Sequence, residues 1–572
     1  MKTPLLLSSL LMLTLHAQAQ FQVQQLAPTR NTNTAARSTP VRLTYSQDIQ
    51  ANTASKVAVF SKQAGGRKVG TTTVSGRTIT FDPTVDFKAG ETIFVTAPAT
   101  VLNINDVPSK PLVYQFTTQV QPSPGTFVTG PQADVGATPT SIAPADVDGD
   151  GDLDLLVSNS SPNWVSVRLN DGTGSFTNGW VEYSVGGALR EIQATDFDGD
   201  GDLDFAVISG GFTPLVTVGL NDGTGHFPGR ASANPGYTNA SGRTVRTADV
   251  DADADEDILI AASGDIFVSL NTGAGSFGPV SPQLALGGNG ARDLRTADID
   301  GDGDLDLLAS VATTSSNEVR VLLNDGSGSF GNGYSVRVPT APYGLATADM
   351  DGDGDLDILT SSDPSSTTTG TVTLLRNNGT GTFSAGAAVR VGSSPSVPAV
   401  ADLDGDGDLD LVTASNVSTG GVSIRRNDGG GNFDAGTDLA VGSYNSSVTP
   451  ADIDSDGDLD LLIINNLIDK VNVLYNSSVL ATASAKTAEP VRVYPNPAQD
   501  AFTVEYNATA AQPATLTLTD PLGRAVYQQS VRLVAGRNSF PLSGASLAQG
   551  LYHLTLVPGT AAAVSQKVMI NH

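Results

Sequence analysis

Asp146-Val147-Asp148-Gly149-Asp150-Gly151-Asp152-Leu153-Asp154 decides how this 572-residue chain is read, because the same nine-residue pattern restarts at Asp196, Asp249, Asp298, Asp349, Asp402 and Asp452. The intervals are 50, 53, 49, 51, 53 and 50 residues, the mark of one structural unit copied seven times. Five carboxylates within nine residues repel one another strongly unless a cation or solvent separates them. Each copy therefore calls for a cation.

Around each loop the sequence reads as four short strands. Ser141 to Ala145 leads in, Leu153 to Val157 leads out, Val165 to Leu169 alternates with period two, and Asn170-Asp-Gly-Thr-Gly174 turns the chain toward Ser175-Phe176. The turn recurs from Asn221, Asn271, Asn324, Asn377 and Asn427, with Asn-Gly and Asp-Gly chemistry suited to positive φ in hairpins. The seventh unit stops at Asn476, while Pro124-Gly-Thr-Phe127, before the first loop, reads as the end of such a turn and the start of a fourth strand. Complementary half-units suit a closed ring and not an open solenoid. The expected fold is all-β: a seven-bladed β-propeller over 121–480.

Composition agrees: 61 Gly and 31 Pro favour short strands and turns. The net charge of -28 is concentrated in the loops, whose 35 Asp leave about +7 for the rest of the chain. Seven divalent ions would bring the total to about -14, and no basic stripe speaks for nucleic acid. The absence of Cys excludes disulfides, thiolate metal sites and cysteine nucleophiles. Residues 1–19, with Lys2, an apolar run from Leu5 to Leu15 and Ala17-Gln-Ala19, have the layout of a secretory signal. That run is too short to span a bilayer, and no other segment is expected to.

After a polar linker at 20–38, residues 39–120 alternate in short strands at 41–45, 56–60, 78–81, 92–96 and 113–117. With Thr80-Phe-Asp-Pro83, Gly90 and a closing Phe116-Thr-Thr118, this segment resembles bacterial Ig-like domains, which implies a small β-sandwich serving as spacer or adhesin. Beyond a small-residue linker at 481–489, residues 490–572 carry Val493-Tyr-Pro-Asn-Pro497, Leu522-Gly-Arg524, Leu547-Ala-Gln-Gly-Leu-Tyr552 and Gln566-Lys-Val-Met-Ile570. These resemble the type A sorting domain of the type IX secretion system. The resemblance implies another small β-sandwich, the secretion machinery as a partner, and release to the medium or the outer cell surface.

An EF-hand would need a bidentate Glu at position 12, where the first loop has Val157. A shorter cage uses positions 1, 3, 5 and 9 with the carbonyl at 7, position 6 being a glycine that permits the sharp turn. This loop resembles the calcium loops of FG-GAP and VCBS repeats, including integrin α-subunit propellers, and that resemblance places it between the first two strands of each blade. Carried across, the calcium residues are Asp146, Asp148, Asp150, Asp152 and Asp154; Asp196, Asp198, Asp200, Asp202 and Asp204; Asp249, Asp251, Asp253, Asp255 and Asp257; Asp298, Asp300, Asp302, Asp304 and Asp306; Asp349, Asp351, Asp353, Asp355 and Asp357; Asp402, Asp404, Asp406, Asp408 and Asp410; and Asp452, Asp454, Asp456, Asp458 and Asp460. In the third loop Ala252 and Ala254 replace both glycines, so this site is expected to be the weakest. An all-oxygen cage without His or Cys favours Ca2+, in up to seven copies.

Catalysis finds little support. Of four His, only His226 lies outside the terminal segments, in a turn where sibling repeats carry Ser, Thr or Asn. Glu182, Glu191 and Glu318 lie outside the loops with no visible partner for glycoside hydrolysis. The alternative to a binding module is a calcium-dependent polysaccharide lyase or glycoside hydrolase built on a propeller. Binding has its place in the connections after the second strands, which differ between repeats: Asn159–Trp164, Gly210–Pro214 and Asp363–Gly370. Trp164, Phe212 and Trp180 suit sugar stacking. The expectation is a non-enzymatic, monomeric adhesion or carbohydrate- or protein-binding module with an extracellular glycan or surface protein as partner.

Overall fold

The computed structural model describes residues 20–476 and 492–571, apart from 177, 211–215, 234–241, 263, 287–289, 313–315, 363–369, 495, 497, 499–500, 509–511, 520–523, 535, 546 and 559–563. The signal segment, the linker at 481–489, Phe212, residues 363–369 and the side chain of Trp180 lie outside the described residues. The chain divides into two compact units, one ending at Ser478 and the other beginning at Val479.

Seven four-stranded antiparallel sheets follow one another in the first unit. The first comprises Pro139–Ala145, Asp154–Ser160, Asn163–Leu169 and Asn178–Ser184, and five more repeat this plan. The seventh takes Asn445–Ala451, Asp460–Asn465 and Lys470–Asn476 and completes itself with Phe127–Asp134, in a register that sets Asn476 opposite Phe127 and Lys470 opposite Asp134. The innermost strands stand side by side in order, and the last, Asn445–Ala451, lies beside the first, Pro139–Ala145. The ring is thus closed by the half-unit that precedes the first Asp loop. Second strands such as Asp154–Ser160 and Asp460–Asn465 are buried almost throughout, because a neighbouring sheet covers each face. Their continuous apolar runs are the sequence signature of that position.

One side chain ties each sheet to the one before it. Asn170 donates through Nδ2 to the carbonyl of Leu153 in its own sheet (3.0 Å) and to that of Ile453 in the seventh (2.8 Å). Asn221, Asn271, Asn324, Asn377 and Asn427 repeat this double bond one sheet further on each time. Asn476 reaches the carbonyl of Leu403 at 2.7 Å.

Ahead of the ring, residues 21–118 form two facing sheets. The expected strands at 41–45, 78–81, 92–96 and 113–117 are present, and the one expected at 56–60 shortens to Ala58–Ser61 behind a 3-10 turn over Ala51–Lys56. Two strands were not expected. Gly70–Ser75 is Thr-rich and half exposed, and Val23–Ala27 pairs with Val41–Tyr45 inside the stretch read as a polar linker. Phe21 anchors that segment by stacking on Tyr45, ring centroids 5.0 Å apart, with 1% of its surface exposed.

The second unit has a three-stranded sheet of Arg492–Tyr494, Ala501–Ala508 and Gly536–Ser543. A four-stranded sheet joins Ala525–Leu533, Gln512–Thr519, Gly550–Pro558 and Val564–Ile570. Phe502, Leu516, Leu554 and Val568 fill the core between the sheets. Among the described residues no helix is long and apolar enough to cross a membrane.

The Asn clasps allow a test of closure. Asn170→Ala, at the seam between the last sheet and the first, leaves two buried carbonyls without a donor and is expected to cost about 1–3 kcal/mol in urea unfolding. Asn324→Ala, within the ring, is expected to cost the same. A markedly smaller loss at Asn170 would mean that the seam is open.

Candidate metal centres

Each Asp loop sits at the hairpin between the first and second strands of its sheet. The fourth and sixth positions hold left-handed backbone: φ is 71° and 96° at Gly149 and Gly151 and 72° and 96° at Gly405 and Gly407. With N–H groups turned inward, the carboxylates order the loop. Asp146 accepts from the N–H of Gly151 (3.2 Å), Asp148 from Asp150 (3.2 Å), and Asp150 from Asp152 (2.9 Å). Asp154 accepts at both oxygens, from Val147 (3.0 Å) and Asn170 (2.8 Å). The same two bonds recur at Asp204, Asp257, Asp306, Asp357, Asp410 and Asp460.

Carboxylate oxygens gather within 4.8 Å of one another in Asp146, Asp148 and Asp154; Asp196, Asp198 and Asp204; Asp249, Asp251 and Asp257; Asp298, Asp300 and Asp302; and Asp349, Asp351 and Asp353, with two further groups. Positions 1 and 3 thus meet position 9 or 5, and position 7 enters none of these five groups. Its side chain lies instead against the Gly-rich turn: a Cβ at Gly172 would fall 2.5 Å from Asp152, and one at Gly379 would fall 2.4 Å from Asp355. That contact, together with φ of 79° at Gly172 and 78° at Gly379, accounts for the glycine in these two turns.

The clusters fit a cation. Oδ1 of Asp146, Asp251, Asp351, Asp404, Asp452 and Asp454 is buried without a hydrogen-bond donor. Burial, ahead of all other causes, pushes the carboxyls of Asp154, Asp204 and Asp460 up to about 8 and those of Asp306, Asp357 and Asp410 up to about 7. Asp257 is raised well above the carboxylate range by the same cause, with the Asp251 charge second. A buried carboxyl escapes that cost by keeping its proton or by facing a cation.

The third loop keeps the geometry of its siblings, with φ at 56° for Ala252 and 81° for Ala254, so the two alanines carry left-handed strain without redirecting the chain. Their methyls have a use: Ala254 packs on Ala58 and Phe60 of the N-terminal sandwich, and Ala252 joins the core cluster around Leu305. Glu256, where the other loops carry Leu, pairs with Lys62 at 3.1 Å.

The N-terminal sandwich and its flanks in fact touch all seven loops. Gln63 accepts from the N–H of Asp146 (2.8 Å), Arg67 N–H donates to Asp196 (3.2 Å), and Thr96 Oγ1 donates to Asp249 (2.6 Å). Arg30 pairs with Asp298 in the fourth loop. Asn31 reaches the carbonyl of Gly354 (2.9 Å), Asn33 that of Gly407 (2.8 Å), and the N–H of Gln121 that of Gly457 (2.7 Å). No pattern within residues 20–38 announced this, since lone Asn and Arg residues in a polar stretch look solvated. The Asn clasps were visible in sequence as a fixed landmark after every loop, present even at Asn476 where no Gly-rich turn follows, but the turn chemistry absorbed their meaning.

The groups weighed for catalysis lie apart. His226 is exposed in its turn, with Nδ1 3.1 Å from Thr224 Oγ1. Glu182 is held by Arg168 at 2.5 Å, Glu191 by Arg246, and Glu318 by Arg320 at 3.7 Å.

Three family models match the chain. The FG-GAP-like repeat model matches residues 146–207, 196–260, 249–309, 310–360, 365–413 and 402–463. The bacterial Ig-like domain model matches 17–118, and the secretion system C-terminal sorting domain model matches 492–571. The sorting domain indicates export by type IX secretion to the cell surface or the extracellular space. No curated protein matches significantly. Similar solved structures include an Agrocybe aegerita lectin described for specific recognition of non-reducing terminal N-acetylglucosamine (19% identity, 72% of this chain and 95% of that one, TM-score 0.39). Others are a Bacteroides thetaiotaomicron protein of unknown function (12% identity, 80% and 98%, TM-score 0.33) and the Photorhabdus luminescens Tc holotoxin pore (13% identity, 86% and 22%, TM-score 0.32). With repeats matched over more than half its length, the chain belongs to the FG-GAP-like repeat family.

Proposed function

We propose that this protein is a calcium-stabilised binding module displayed outside the cell, in which a propeller at 121–480 presents a recognition face to an extracellular glycan or surface protein. In this reading residues 1–19 are a signal peptide and 490–572 the sorting tail. The observation that carries the calcium half is the set of buried carboxylate oxygens without donors in the repeated loops. Side chains at positions 1, 3, 5 and 9 and the carbonyl at 7 would hold the ion. Bound calcium would supply a positive centre that offsets the carboxylate charge. The chain's own part is to hold those oxygens in place through the loop N–H groups and to dock the N-terminal sandwich over them. In a chain without Cys, this takes the place of disulfide bracing.

The recognition half rests on where the sandwich sits. It occupies the face that carries the Asp loops, and this supports a recognition face formed by the connections after the second strands, on the opposite side. Trp164, 36% exposed, lies near one of them, in the strand Asn163–Leu169 opposite Asn159, so that the connection expected over Asn159–Trp164 shortens to Ser161-Pro162. Engagement of Glu182, Glu191 and Glu318 by arginines favours binding over catalysis. A glycan array probed with the purified protein, with and without calcium, tests recognition; turnover of a polysaccharide would favour the enzyme reading.

Three outcomes test the calcium half. Chelation is expected to lower the melting temperature by 10 °C or more, on the order of several kcal/mol for lost metal linkage, and an unchanged melt would sink the idea. The third site is expected to be the weakest in a calcium titration. A252G/A254G should remove that weak class with little change in stability, because relief of about 1–2 kcal/mol of left-handed strain per residue is largely offset by loss of two buried methyls, about 0.8 kcal/mol each.

Stability should also depend on pH with a sign set by the ion. The ninth-position carboxyls titrate near 3.8 when unfolded and at about 7 to 8 when folded and ion-free. The folded state then binds more protons, so chelated protein loses stability as pH rises from 4 through 8. Calcium requires the deprotonated form, so its stabilisation grows over the same interval, with measurable proton release on binding. Parallel pH profiles with and without calcium would contradict the assignment.

A further inference from the structure

The seven innermost strands enclose a well of about 750 Å3, a volume suited to a small ligand. Lys62, Gln63, Phe94 and Gln115 of the N-terminal sandwich form its floor, on the side of the Asp loops. Toward the other end Asn466, just after the second strand Asp460–Asn465, lines it. Among the described residues the sandwich closes the Asp-loop end of the well.

The lining is unlike the rest of the molecule. Six cationic side chains, Lys62, Arg190, Arg243, Arg246, Arg292 and Arg295, meet two carboxylates, Glu191 and Asp293, in a protein whose net charge is -28. Arg190, Arg243 and Arg292 occupy one register, six residues before the Asp loop, in three consecutive sheets; the remaining four sheets have Thr, Tyr or Ser there. The two carboxylates belong to the deeper pair of arginines. Arg246 binds Glu191 and, at 2.6 Å, Asp293, while Arg295 lies 2.9 Å from Asp293, which also accepts the N–H of Leu345 at 2.9 Å. Arg190 and Arg243, toward the mouth and exposed, take part in no ion pair among the described residues. Although the Arg243 side chain reaches solvent, partial desolvation against the wall, then the Arg292 and Arg190 guanidiniums, lower its proton affinity, and the last two mark like charges held close. An anion among them relieves that repulsion, and guanidinium forks match the paired oxygens of carboxylate and sulfate.

We propose that the well is an anion site that takes the carboxylate- or sulfate-bearing end of an acidic saccharide, with Arg190 and Arg243 as its principal contacts. The saccharide part rests on the glycan reading above; the anion site does not. The test is calorimetry on the calcium-loaded full chain with a galacturonic acid trimer, a sulfated galactose oligosaccharide, a neutral galactose trimer and inorganic sulfate. At least one anionic oligosaccharide should bind tenfold or more tightly than the neutral trimer and weaken with added salt. R190A/R243A should lower that affinity tenfold or more at an unchanged melting temperature, and R190K/R243K should retain most of it. Equal binding of acidic and neutral oligosaccharides, or acidic binding unchanged in R190A/R243A, overturns the proposal. Neutral binding that survives R190A/R243A, with no acidic preference, keeps the glycan reading and removes the well from it. Inorganic sulfate bound by the wild type and lost in R190A/R243A, with no saccharide bound, keeps the anion site and overturns its assignment to a glycan.

Discussion

Everything in this ring depends on a buried carboxylate caught between two backbone N–H groups. Asp154 and its six counterparts each accept from the second residue of their own loop and from the asparagine after the third strand. That asparagine then reaches across to the preceding sheet. One polar residue at the base of each hairpin thereby fixes the loop, the turn and the neighbouring blade together. Because such carboxylates are buried, their charge must be answered, and both the raised proton affinities and the donorless oxygens around them express that demand.

A second consequence is asymmetry between the two faces of the ring. On one face the N-terminal sandwich and its flanks meet every one of the seven loops, through side-chain amides and guanidinium in some and through backbone in others. The sandwich is a lid on the Asp-loop face more than a spacer. Its grip meets the third loop, whose Ala254 packs on Ala58 and Phe60 and whose Glu256 pairs with Lys62. Capping that face gives the central channel a floor of Lys62, Gln63, Phe94 and Gln115.

The local chemistry was largely legible. Alternating patterns located the strands of the sandwich, the fixed intervals gave the repeating sheet, and the half-units at 124 and 476 foretold the pairing of Phe127–Asp134 with Lys470–Asn476. Residues 20–38 were misjudged, because the one feature that ties them down, Phe21 on Tyr45, is a single aromatic in a polar stretch and has no periodicity to reveal it. The alanines of the third loop were legible as replacements for glycine, but the packing of Ala254 on Ala58 and Phe60, from another part of the chain, was not.

The sequence by itself determined the repeat, the order of strands and the carboxylate at each loop position, since those follow from spacing along the chain and from chemistry within nine residues. Only the tertiary structure decided what lies across from each loop. The contacts of Arg30, Asn31 and Asn33 with loops some 270 to 370 residues away, and the meeting of Arg190, Arg243 and Arg292 around one well, have no local signature. Closing the ring brings equivalent positions of successive repeats face to face, and their charges then add in space though they stand about fifty residues apart in the chain.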